Sequence, residues 1–185
     1  MLKKVAIGAA VVVLAFIALV AARPSHFHVE RSISISAPPE VVFAFINDFR
    51  RWQAWSPWEK LDPGMKREYS GSAQGVGAQY HWTGNDDVGS GSMRIEDSQP
   101  SSRLRIALEF KTPFEASNEA SFSLTPEAGA TTVTWGMDGE NNFMFKAVGL
   151  FMNMDEMIGK DFQEGLANLK RLAEAAPSQP ERASQ

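Results

Sequence analysis

From Val5 to Ala22 the chain is one unbroken apolar run of 18 residues, free of charge and preceded by Lys3 and Lys4. At 1.5 Å per residue that run makes ~27 Å of helix, close to the ~30 Å hydrocarbon thickness of a bilayer. Beyond Arg23 the pattern changes to period two. In Phe27–Ser36, Phe27, Val29, Ile33 and Ile35 share one face and His28, Glu30, Ser32 and Ser34 the other. Arg31 breaks the apolar face, which places this strand near a sheet edge. Ala37-Pro38-Pro39-Glu40 ends it, and a proline suits the first turn of a helix. Val41, Val42, Phe45, Ile46 and Phe49 then recur at helical spacing and predict a short helix to about Phe49.

Residues 50–60 are aromatic-rich and irregular, with Trp52, Trp55, Pro57 and Trp58. Alternating segments follow, bounded by Gly, Pro, Asn and Ser: 78–83, 89–96, 103–110, one around Ala120, Phe122 and Leu124, and one around Val133, Trp135 and Met137. Each has one apolar and one wet face, as in an antiparallel sheet. Met154, Met157, Ile158, Phe162, Leu166, Leu169 and Leu172 return to three-and-four spacing and predict a long amphipathic helix. Gly159 and Gly165 inside it cost ~1 kcal/mol each relative to Ala. Close contact with the sheet, or room for a ligand, is expected to account for them.

The order of elements predicts an α+β domain in which a curved antiparallel sheet wraps the long C-terminal helix. A bent sheet and a straight helix cannot touch everywhere, so a cavity is expected between them. Three segments result: 1–24, a membrane anchor or a cleaved signal peptide; 25–176, the folded domain; 177–185, a disordered tail.

Charge and composition narrow the partners. Without cysteine the chain has no disulfide, thiolate metal site or Cys nucleophile. The net charge is −4; without Lys3, Lys4 and Arg23 there remain 15 basic and 22 acidic residues, a charge of −7. Such a domain is a poor nucleic-acid binder and offers no basic patch to anionic headgroups. Lys3 and Lys4 favour a cytoplasmic N-terminus, weakened by Arg23, so the domain is expected on the periplasmic or extracellular side. Small residues at Val20-Ala21-Ala22 would suit a signal peptidase, in which case the domain is secreted.

The sequence resembles the SRPBCC superfamily of START, Bet v 1-like and polyketide cyclase/dehydrase-like proteins. The resemblance rests on Ile35-Ser36-Ala37-Pro38-Pro39-Glu40-Val41-Val42-Phe43, then Asn47-Asp48-Phe49 with Trp52, Trp55 and Ser56-Pro57-Trp58, and finally the 157–172 helix with Gly165, Leu166 and Asn168-Leu169-Lys170. It covers 27–175 and implies a helix-grip fold with an apolar ligand between sheet and helix. The superfamily holds carriers, receptors and cyclases alike, so the resemblance speaks to fold rather than to activity.

The expected cavity lining is Trp52, Trp55, Trp58, Tyr80, Trp82, Met93, Trp135, Met137, Phe151, Met154, Ile158 and Phe162. The tryptophans either grip a flat apolar ligand or plug one end of the sheet. Phe143, Met144, Phe145, Phe151, Met152, Met154 and Met157 suit a surface that adapts to several apolar ligands, or an adaptable core, or, over 143–151, a segment dipping into a membrane surface. No catalytic residue, cofactor or metal ligand is assigned. The three histidines, His26, His28 and His81, lack metal spacing. Asp155, Glu156 and Asp161 are accounted for by the dipole at the start of the last helix. The expected function is therefore a membrane-tethered binding or transport module for an apolar molecule or lipid. A cyclase- or dehydratase-like enzyme acting in the same pocket, or a protein-interaction module with a collapsed pocket, stands beside it.

Overall fold

A computed structural model describes residues 2–151 and 153–176. The expected disordered tail and Met152 lie outside the described residues.

Helix α1 (Leu2–Ala21) contains the apolar run as far as Ala21 and over Lys3–Ala21 is long and apolar enough to cross a membrane. Its side chains are exposed almost throughout, apart from the buried Val20 at its foot. Strand β1 (His26–Ile35) leads into α2 (Pro39–Ile46), which starts on Pro39 as the sequence predicts. The helix stops three residues earlier than expected, at Ile46. The chain continues as two 3-10 turns, Phe49–Ala54 and Pro57–Lys60. Trp52 Nε1 donates to the Ile46 carbonyl (2.9 Å) and Trp55 Nε1 to the Phe45 carbonyl (3.3 Å). The indoles thus satisfy carbonyls at the end of α2 that no longer have a helical partner.

Six more strands follow: β2 (Lys66–Gly71), β3 (Ala78–Thr83), β4 (Ser90–Gln99), β5 (Arg103–Thr112), β6 (Ala116–Glu127) and β7 (Ala130–Glu140). All pairings are antiparallel, in the order β1-β7-β6-β5-β4-β3-β2. β1 is an edge strand, as Arg31 implied. β2, the other edge, has no apolar alternation to announce it: only Tyr69 is apolar in Lys66-Arg67-Glu68-Tyr69-Ser70-Gly71. Register breaks in β4 at Ser90/Gly91 and Ile95/Asp97 bend the sheet.

A one-and-a-half-turn helix, α3 (Phe143–Val148), separates β7 from the long α4 (Met154–Ala175). The two helices are capped alike: Asn142 Oδ1 accepts from the Phe145 N–H and Asn153 Oδ1 from the Glu156 N–H. α4 lies against β1 and β7 and touches α2. Its inward residues Phe162, Leu166, Leu169 and Ala173 are all at least 99% buried. The interior glycines are explained by close approach. A Cβ on Gly165 would come within 2.7 Å of Trp135 Cζ3, and one on Gly159 would collide with the Arg31 guanidinium. Arg31 crosses there to pair with Asp155 (2.9 Å).

Candidate functional site

The pairing registers stack inward side chains into transverse rows about 6.8 Å apart, two residues per step. The row that floors the cavity is Leu104, Phe122 and Trp135, with Leu124, Val133 and Ile33 one step beyond it. Ile95, Ile106, Ala120, Met137 and Val29 come next. Tyr80, Met93, Leu108, Asn118, Gly139 and Phe27 form the third row, and Trp82, Gly91, Phe110 and Ala116 the fourth.

Aromatic rings fill the deep end. Trp135 stacks on Phe162 at 4.2 Å and 7°, and on Phe122 at 5.0 Å. Trp52 and Trp55 meet this pair edge-on, and Trp58 meets Trp135 at 89°. Such pairs add ~0.5–1.5 kcal/mol each beyond area burial. The plug explains why the space between sheet and helix is not uniform. Above it, where side chains shorten to Met93, Leu108, Ala116 and Ala120, an apolar cavity of about 380 Å³ remains, at the small end of the ~300–1,000 Å³ range of ligand sites.

Ten of the twelve expected lining residues bound it: Trp52, Trp58, Tyr80, Trp82, Met93, Trp135, Met137, Met154, Ile158 and Phe162. Two do not. Trp55 is fully buried behind Trp52, where the 3-10 turn directs it into the plug. Phe151 is 81% exposed and borders a separate, more open depression beside the foot of α1. It follows α3, an element the apolar spacing did not reveal. A pocket collapsed around Trp52, Trp82 and Trp135 is likewise not what forms, since all three border open space.

The cavity reaches the surface between the β5–β6 turn, α3 and the first turns of α4. Phe114 and Met157, both lining residues, are 49% and 44% exposed there. Phe114 packs edge-on against Phe145 of α3 at 6.1 Å. The foot of α1 rests on α3: Arg23 donates to the Gly149 carbonyl and Lys146 Nζ to Ser25 Oγ (2.8 Å).

Polar groups also face the cavity, and sequence reasoning missed them. Glu59, on the second 3-10 turn, has a side chain only 6% exposed. Its Oε1 accepts from the Tyr80 hydroxyl (2.7 Å) and its Oε2 from Arg67 Nε (2.6 Å). Burial, followed by the Glu59 hydrogen bond, pushes the Tyr80 hydroxyl far above the usual tyrosine range. The same carboxylate, chiefly through its hydrogen bond, raises the Arg67 guanidinium. Asp161, about two turns into α4, also lines the cavity. Its carboxyl is held above the usual range by burial first and by Glu164 second, with a Trp58 side-chain hydrogen bond opposing. The dipole account of Asp161 is therefore incomplete, and the inward carboxylates a pocket reaction would need are present. Trp135 Nε1 and Asn118 Oδ1, on two further lining residues, are buried without a hydrogen-bond partner. Among the described residues no three His, Cys, Asp or Glu side chains gather as a metal site.

A family model described as "Polyketide cyclase / dehydrase and lipid transport" matches residues 26–174. The chain belongs to that family. Its polyketide cyclase/dehydrase and lipid transport fold recurs in solved structures. A Nitrosospira multiformis protein is 20% identical with a TM-score of 0.59, over 80% of this chain and 97% of its own. A Chromobacterium violaceum protein is 18% identical with a TM-score of 0.58, over 83% of this chain and 100% of its own. DynU16, from the dynemicin biosynthetic locus, is 19% identical with a TM-score of 0.56, over 80% of this chain and 47% of its own. At these identities the likeness concerns the fold alone. No curated protein matches the chain.

Proposed function

We propose that this polyketide cyclase/dehydrase and lipid transport family member is a membrane-tethered module that binds or carries an apolar small molecule or lipid. The observation that carries the reading is the position of the cavity mouth. It is framed by Phe114, Phe145 and Met157, and Phe145 belongs to the same short helix on which the foot of α1 rests. If α1 spans a bilayer, that mouth sits next to the membrane surface, with Phe143, Met144 and Phe151 exposed beside it. An apolar ligand would then pass between bilayer and cavity over apolar side chains, with little of its surface meeting water.

On this reading α1 is retained, its lysine end is cytoplasmic and the domain lies across the membrane. Segment 25–176 does the binding. The test is native mass spectrometry of the full chain extracted with its surrounding lipid in a polymer disc, with melting curves across a lipid panel. A co-purifying apolar compound and a raised Tm are expected. Neither a bound compound nor any shift would remove the carrier reading, and a mature N-terminus at Arg23 would remove the anchor.

A second reading, dehydration or cyclisation of the bound molecule, is favoured by Asp161, a lining carboxyl that burial raises above the usual carboxylate range. Dehydration predicts that the compound recovered from wild-type protein is one water lighter than that recovered from Asp161→Asn. Identical masses would remove dehydration, and identical chromatographic retention and fragmentation as well would remove cyclisation and leave the carrier alone.

A further inference from the structure

The charge of the cavity wall restricts what the pocket can hold. Four lining residues are acidic, Glu59 and Asp161 within and the exposed Asp87 and Glu140 at the rim, and no described lining residue is Lys, Arg or His. The cations close by face elsewhere. Arg67 pairs with Glu59 from the β2 edge and does not line the cavity. Arg23, His26 and Lys146 border the outer depression at the foot of α1. Hydrogen-bonding capacity is biased in the same direction. The Tyr80 proton already goes to Glu59, so its oxygen offers the cavity lone pairs only. Asn118 Oδ1 is an unsatisfied acceptor. Unpartnered donors are few: the indole N–H of Trp135, a residue 98% buried at the floor, and two groups that accept as readily as they donate, the Ser56 hydroxyl and the Asn141 amide. A hydroxyl can serve both kinds of group; an amine or ammonium suits the acceptors. A carboxylate or phosphate meets few donors, and it would stand near the unpaired Asp161 and Glu140 carboxylates with no cation on the described lining to offset them.

We infer that the ligand of this cavity is an apolar molecule whose polar group donates hydrogen bonds and carries no negative charge, an alcohol or an amine, and that anionic lipids and free fatty acids are selected against. The inference rests on the cavity being a binding site, as proposed above. It names the class of molecule that enters.

The test uses the full chain in phosphatidylcholine nanodiscs, with empty discs as the reference for partitioning. Three probes share a ten-carbon chain: decanol, decylamine and decanoate, titrated at pH 8 and read by the shift in tryptophan emission as the cavity fills. Decanol and decylamine are expected to bind at least tenfold more tightly than decanoate. Asp161→Asn and Glu140→Gln, made singly, are each expected to narrow that preference threefold or more, mainly by improving decanoate. Decanoate binding as tightly as decanol overturns the charge rule and leaves the binding site standing. A preference unchanged in both variants also overturns it, because the carboxylates would then not be its cause. If none of the three binds, the binding-site reading falls and this inference falls with it.

Discussion

The sharpest consequence of the buried polar wall concerns Arg67. Its guanidinium makes three hydrogen bonds: Nε to Glu59 Oε2 (2.6 Å), Nη1 to the Met65 carbonyl (2.7 Å) and Nη2 to the Glu59 carbonyl (3.2 Å). Arg67→Met keeps most of the apolar stem and removes the charge. Glu59, whose side chain is 6% exposed, is left with the Tyr80 hydroxyl as its side-chain donor. Breaking a buried pair from one side costs ~3–5 kcal/mol. Arg67 is 19% exposed and Tyr80 stays, so the low end applies, about 3 kcal/mol. For a domain of this size that corresponds to a fall in Tm of roughly 6–12 °C. The desolvated carboxylate, rather than the lost attraction, carries most of this cost. Glu59→Gln/Arg67→Met should therefore be more stable than Arg67→Met alone, by at least ~1 kcal/mol. Urea denaturation followed by tryptophan fluorescence measures all three proteins. The reasoning is refuted if Arg67→Met lies within about 0.5 kcal/mol of wild type, the spread of an ordinary surface change, or if the second substitution deepens the loss.

Three further outcomes follow from the geometry. Gly165→Ala should destabilise by ~1–3 kcal/mol, because its Cβ meets the rigid, stacked Trp135 ring; Gly159→Ala meets the tip of the flexible Arg31 and should lose less, which paired denaturation curves would show. Phe162→Ala removes the ring stacked on Trp135 and should cost ~3–5 kcal/mol, while joining the plug to the cavity, so that binding of an apolar dye rises. The His28 imidazole is raised above 6.5, first by its hydrogen bond to Asp138 (2.8 Å) and also by Glu30. Its contribution to stability is accordingly complete below pH 6.5 and lost as pH climbs through the raised value; an NMR titration should show His28 above an ordinary histidine and Asp138→Asn should lower it.

Much of this architecture was legible because one physical rule, the alternation of inward and outward side chains, governs six of the seven strands. The α4 stripe was equally clear, since seven apolar residues keep helical spacing across five turns. Legibility failed where other forces act. β2 is a polar edge strand whose inward positions are Arg67 and Tyr69, so period two carries no hydrophobic signal there. Glu59 follows Trp58 in a short 3-10 turn, a geometry without a face that spacing can reveal, and only the fold brings it to Tyr80. Asp161 was visible as a residue, but its position near a helix start supplied a sufficient local reason and hid the tertiary one. Trp55 and Phe151 erred in opposite directions, one buried past the cavity and the other outside it. Ring count marks an aromatic cluster without saying which ring faces space.

The plug and the opening belong to one design. A helix packed along a bent sheet leaves space at both ends, and here the aromatic residues close one end only. Trp135, Phe122 and Phe162 close the end remote from α1, and Trp52 and Trp55 tie that closure to α2. Polar satisfaction requires this asymmetry. Two indole N–H groups cap carbonyls at the end of α2, so the rings that supply them must lie deep, where α2 stops. The residues spared from that task, Met93, Leu108, Ala116, Ala120 and Met137, are smaller or more flexible and cannot fill the end nearer the N-terminal helix. Space therefore remains on the side where α3 and the foot of α1 meet. On the carrier reading the consequence is kinetic. The cost of exchanging an apolar molecule lies in wetting its surface between two dry sites. Shortening that wet step to the width of the Phe114–Phe145 rim would speed exchange without requiring tight binding. On the same reading, acceptors and carboxylates along the interior would disfavour anionic lipids while admitting a hydroxylated or amine-bearing molecule.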